Sequence, residues 1–132
     1  MYSMNPRYLA HLNDSDTKKQ RSMILKSRRD YKEHHYFTRK KLPSFKGKLS
    51  PHIVKARAMY HTEIFPNKEL AKATGCPVSA LKAIVRKGEG AYYSSGSRPN
   101  QTPFSWGIAR LASALTHGKA SMVDKDILKR CN

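Results

Sequence analysis

The side chains best suited to chemistry in this chain are cations set among aromatic rings, in three places. Lys82 and Arg86 stand four residues apart, so on a helix they project from one face, and Lys87 follows directly. In SRRDYKEHHYFTRKK, residues 27–41, the cations Arg28, Arg29, Arg39, Lys40 and Lys41 are interleaved with Tyr31, Tyr36 and Phe37. Guanidinium and ammonium groups neutralise phosphates or carboxylates, and rings stack on bases or pack against a protein surface. In GEGAYYSSGSRPNQT, residues 88–102, Arg98 lies among hydroxyl and amide donors and glycines that expose backbone N–H groups. That mix can cradle an anion. It lacks the GxxxxGK[ST] of a nucleotide-binding loop, so docking on a protein through Tyr92 and Tyr93, or internal packing, is the stronger reading.

Covalent and acid–base chemistry have less support. The 9 Asp and Glu are scattered, and no paired carboxylates stand out. Nothing sets a Ser or Cys nucleophile beside a base. His34 and His35 are neighbours on a charged segment and read as surface residues, not metal ligands. Cys76 and Cys131 have no metal spacing and no disulfide framework, which fits a reducing compartment. No enzyme activity, metal, cofactor or small-molecule substrate is expected.

The elements that position these groups follow from the punctuation of the chain. Asp14-Ser15-Asp16-Thr17 offers N-caps and negative charge for a helix over 18–41, with Met23, Ile24, Ser27, Tyr31 and Tyr36 as a thin apolar stripe. Residues 42–50, with Pro43 and Gly47, read as a linker. Ser50-Pro51 starts a helix that runs to His61, with Ile53, Val54, Ala56 and Tyr60 on one face. A short helix spans 67–74, and after Gly75 another runs from Pro77 to Lys87, stopped by Gly88. Residues 88–102 read as a loop or short hairpin. Thr102-Pro103 starts the next helix, with a stripe of Phe104, Ile108, Leu111, Ala112 and Leu115, closed at His117-Gly118. Ser121 to Asp124 resembles a capping box for a last helix through Leu128.

The expected fold is therefore mainly α. Residues 1–49 form an extended or helical basic N-terminal arm and linker, too hydrophilic to order unaided. Residues 50–132 form a small helical domain. Within it, Leu70, Ala71, Gly75, Cys76, Leu81 and Ile84 resemble the inner face of a repressor-type helix-turn-helix over 67–87. Ser79, Lys82, Ala83 and Arg86 are then the outer face, which in a DNA reader lies in the major groove. Pro77, Val78 and Ala83 leave few donors for base edges.

The whole chain has 132 residues, 26 Lys+Arg and a formal net charge of +17, enough for one core and strongly suited to an anionic partner. The surplus is spread evenly. Residues 1–50 carry 13 basic and 4 acidic side chains, and residues 51–132 carry 13 and 5. No signal-peptide pattern and no apolar run of membrane-spanning length occurs, so a soluble protein is expected.

The stretches SRRDYKEHHYFTRKKLPSFKGK, SPHIVKARAMY and IVRKGEGAYYSSGSRPNQTPFSWGIARLASALTHGKASMVDKDIL resemble a family of small basic proteins of unassigned function from chloroviruses and other large DNA viruses of algae. The resemblance implies a virion location, on the inner capsid face, after assembly in the host cytoplasm or nucleus. It implies a minor capsid protein whose partners are the major capsid protein, other minor capsid proteins, and DNA or the inner membrane surface. The alternative function is DNA binding through the helix pair and arm, for packaging or regulation.

Overall fold

A computed structural model describes residues 4–47 and 50–131. Among them the fold is mainly α, as expected. A 3-10 turn, Pro6–Tyr8, precedes α1 (Asp14–Lys32), α2 (Pro51–Tyr60), α3 (Lys68–Thr74), α4 (Val78–Ser94), α5 (Pro103–Leu115), α6 (Lys119–Val123) and α7 (Lys125–Leu128).

Local chemistry sets most of these boundaries. Asn13, not the Asp14–Thr17 run, caps α1, its side chain accepting from the Asp16 N–H at 2.8 Å, with Asp14 and Asp16 in the first turn. The expected helix over 18–41 therefore starts earlier, and it stops at Lys32. There His34 takes a left-handed backbone (φ 61°), and its N–H bonds back to the Tyr31 carbonyl. His61 (φ 54°) and His117 (φ 61°) end α2 and α5 in the same way. Asn67 caps α3, accepting from the Leu70 N–H at 3.0 Å, and Gly75 (φ 75°) closes it. On α2, Ala56 is buried while Val54, expected beside it, is exposed.

The largest departure is α4. Gly88 does not stop the helix, so 88–102 is neither a loop nor a hairpin over its first half. A Cβ on Gly88 would lie 2.6 Å from the Gly107 Cα, and one on Gly107 would lie 2.6 Å from the Val85 carbonyl oxygen. Glycine is there because α4 and α5 cross backbone to backbone, a close approach that excludes a side chain. Ser121 is likewise not a cap. It lies inside α6, its hydroxyl donating to the Gly118 carbonyl at 2.6 Å.

The chain divides into two compact units. One comprises the described residues up to Gly47 with Gly90–Pro103, and the other the described residues from Ser50 to Glu89 with those from Phe104 to Cys131. The segment 90–103 thus belongs with the N-terminal part. The expected free arm is a folded piece that buries Ile24, Leu42 and Tyr92 together with the polar Asp16, Gln20, Ser27, Arg39 and Ser97. Gln20 Nε2 donates to the carbonyls of Tyr8 and Ser97, both at 3.2 Å. The Asn100 side chain accepts from the Leu42 N–H at 2.7 Å and donates to the Leu42 carbonyl at 3.2 Å.

The second unit is built on apolar packing. Ala56, Ile64, Leu70, Cys76, Leu81, Ile84, Val85, Leu111, Ala112, Ala114 and Leu115 form its core, with Ile53, Tyr60, Ile108 and Ile127 packed against it. The Tyr60 hydroxyl donates to the Leu115 carbonyl at 2.6 Å, and burial pushes that phenol above its usual range. Contrary to the sequence expectation, Cys76 and Cys131 are joined in a disulfide across 55 residues of chain. The chain after α7 brings Cys131 to the rim of the core where Cys76 is already buried.

Candidate functional site

The cations named by the sequence separate into those the fold consumes and those it presents. Arg39 is consumed. It is 6% exposed, its guanidinium lies 3.7 Å from the centre of the Tyr92 ring, and it donates to the Tyr92 carbonyl at 2.9 Å and the Ser97 hydroxyl at 2.7 Å. Burial lowers its pKa, opposed by the neighbouring tyrosines; a guanidinium keeps its proton under such a shift. Arg28 Nε donates to the Ser95 carbonyl at 2.8 Å, and the Ser27 hydroxyl to that of Tyr93 at 3.1 Å. Residues of α1 and the irregular stretch after it therefore satisfy carbonyls at the end of α4, where the helix dipole also favours positive charge.

Tyr92 is fully buried and cannot anchor a partner. It packs inside the unit, with the Arg39 N–H donating to its hydroxyl at 2.8 Å. Tyr93 is half-buried and meets Tyr31 and Tyr36, at 6.2 and 5.2 Å between ring centres. Lys87 is partly spent as well, 3.5 Å from the fully buried Asp124, which also accepts two bonds from Arg110 at 2.9 and 2.7 Å. This buried pair was not read from the sequence, because Asp124 lies in a run without apolar periodicity. In the first unit, Asp16 is held below its usual range by hydrogen bonds from Ser44, one from the backbone N–H at 3.1 Å.

Lys82 and Arg86 are presented. Both are exposed on α4, and neither has a carboxylate within ion-pair range among the described residues. With Phe65, Pro66, Val85, Glu89 and Phe104 they line an open cleft of about 270 Å³. Phe104, expected in the buried stripe of α5, is 42% exposed, and Phe65 is 47% exposed; their rings are 5.6 Å apart. Phe104 stands in the first turn of its helix, ahead of the buried stretch 111–116.

Arg29, Lys40 and Lys41 are exposed and Arg98 is half-buried. Lys18, Arg21 and Lys32, which the sequence does not single out from the cations of this segment, are exposed with Arg29 on α1 at positions sharing one face. The signal was present: Gln20, Ile24 and Ser27 mark the buried face, and these cations stand opposite. His34 and His35 are exposed, and no group of three His, Cys, Asp or Glu able to hold a metal ion occurs among the described residues. No described helix is long and apolar enough to cross a membrane.

The fold and its surfaces define a small all-helical protein with a strongly cationic exterior. The chain belongs to a family of unknown function (DUF5824), whose pattern matches residues 5–130. No curated protein and no solved structure matches it.

Proposed function

We propose that the chain is a non-enzymatic structural protein of a large icosahedral DNA virus, a minor capsid protein of the inner face that works by meeting acidic neighbours. The observation that carries this reading is the charge left over after folding. Asp16, Asp30, Glu63, Asp124 and Asp126 already lie within 4.0 Å of a cation of the chain itself, while the net charge is +17. Among the described residues, exposed cations without an acidic partner stand on α1 and α4 among other elements, and a surplus of that size favours a polyanionic partner. The viral setting rests on the sequence resemblance. The bridging element is the exposed face of a folded unit in place of a free arm. Extensively washed virions should retain the chain by mass spectrometry, cross-linked to the major or minor capsid proteins; its complete loss on washing sinks the reading.

A second reading is favoured by Lys82 and Arg86. They are exposed on the helix that follows the Gly75 turn, where a helix-turn-helix protein presents its DNA-facing side chains. In it the chain binds duplex DNA for packaging or regulation, with backbone contacts dominating over base reading. Replacing both residues with Ala should then weaken duplex binding. Unchanged affinity removes α4 from the interface.

A further inference from the structure

We propose that Tyr31, Tyr36 and Tyr93 form a stacking platform for the unpaired bases of a single-stranded nucleic acid. The proposal rests on the polyanion reading above and names the kind of polyanion that the first unit takes.

Three separate segments supply the rings: the last turn of α1, the irregular stretch after it, and the last turn of α4. Each ring touches the other two. Tyr31 and Tyr93 are nearly parallel, 7° apart in plane with centres 6.2 Å apart, Tyr36 is 5.2 Å from Tyr93, and Tyr31 is 6.1 Å from Tyr36. The cluster is nevertheless at the surface, with Tyr36 63% and Tyr31 37% exposed. Packing alone does not call for this. Tyr92, the neighbour in sequence, shows what a structural tyrosine looks like in this unit: fully buried, hydrogen-bonded and capped by Arg39.

The platform is also backed by rigid groups. Tyr93 abuts Tyr92 edge to face at 5.2 Å, and the Tyr93 carbonyl accepts from Ser27 of α1. Rings held in advance lose little conformational freedom when a ligand arrives.

Charge selects the ligand. Of the six Lys and Arg in residues 28–41, Arg28 and Arg39 are bonded within the unit, and Arg29, Lys32, Lys40 and Lys41 are exposed to attract phosphates. A nucleobase supplies a π-face in every nucleotide. In a duplex those faces are stacked on each other, so the platform discriminates in favour of single strands.

The test is fluorescence anisotropy of the full chain with three labelled probes: a 15-nucleotide oligothymidylate, an abasic strand with the same phosphates, and a duplex of the same length. The oligothymidylate should bind roughly tenfold or more tightly than the abasic strand. Tyr36→Ala should abolish that ratio while leaving the abasic affinity unchanged, and Tyr36→Phe should keep it. Tyr36 is the most exposed of the three, and a melting curve of the variant checks that it still folds. Equal binding of the base-bearing and abasic strands overturns the platform but leaves the polyanion reading standing. Failure to bind any of the three probes overturns the platform and the duplex-DNA reading, while the capsid reading stands or falls on the washed virions. A ratio of one together with loss of cross-linking to capsid protein in Tyr36→Ala assigns the rings to a protein partner, and also overturns the proposal.

Discussion

The two units of this molecule are held together by different chemistry. The second buries a continuous set of aliphatic side chains, from Ala56 and Leu70 to Leu111 and Leu115. The first buries few, and much of its interior is polar: Gln20, Ser27, Arg39 and Ser97 bond to carbonyls or to each other across distant parts of the chain. Apolar packing is tolerant of exchange, since any well-shaped hydrophobic group serves. A buried polar network depends on each partner, because removing one leaves the others desolvated and unsatisfied. A strongly cationic chain has few aliphatic residues to spare for a second core, and the first unit shows the alternative.

The contrast can be broken hardest where a charge is buried in the apolar unit. Asp124 is fully enclosed and bound by Arg110, so Asp124→Ala should cost about 3–5 kcal/mol by stranding that guanidinium. Denaturant unfolding measures it, and a loss under 1 kcal/mol would mean that water already reaches the pair.

The disulfide comes next. Closing a loop across 55 residues, its reduction should cost about 4 kcal/mol through the entropy of the unfolded chain. Hydrogen exchange should then show α3 and α7 losing protection while α1 keeps it. Equal loss in both units would show that they do not differ in what secures them.

In the first unit, Arg39→Ala should cost about 2–3 kcal/mol, the value of hydrogen bonds from a charged donor to the Tyr92 carbonyl and Ser97. Near-ultraviolet circular dichroism should report Tyr92 losing its fixed environment; an unchanged spectrum argues against the observed packing.

The smallest effect concerns pH. Hydrogen bonds from Ser44 depress the folded pKa of Asp16, so its contribution is present above the ordinary aspartate value of 3.8 and fades as pH falls through the lower folded value. The stability difference between the protein and Asp16→Asn should therefore shrink on acidification. A difference that grows toward low pH contradicts the assignment.

The same contrast explains what could be read from the sequence. Ser50-Pro51, Asn67, Gly75 and Thr102-Pro103 mark helix ends by local chemistry, and the core positions Leu70, Leu81, Ile84 and Leu111 follow helical spacing. Gly88 misled because glycine serves both as a helix stop and as a crossing point, and only the partner helix distinguishes the two. The first unit reads as an arm in the sequence because polar burial has no periodic signature; nothing near Arg39 in sequence announces Tyr92 and Ser97, more than fifty residues on. The exposed pair Lys82 and Arg86 was legible because both sit on one helix. The three-tyrosine cluster was not, because it is assembled from three segments.

The most direct test of the proposed polyanion-binding surface is the salt dependence of its binding. For a 20-base-pair duplex, log affinity against log salt should fall with a slope of about −5, the release expected for six phosphate contacts. Lys82→Ala with Arg86→Ala should reduce that slope by about 2. A flat slope, or no binding to duplex or single strand at moderate salt, would contradict the account.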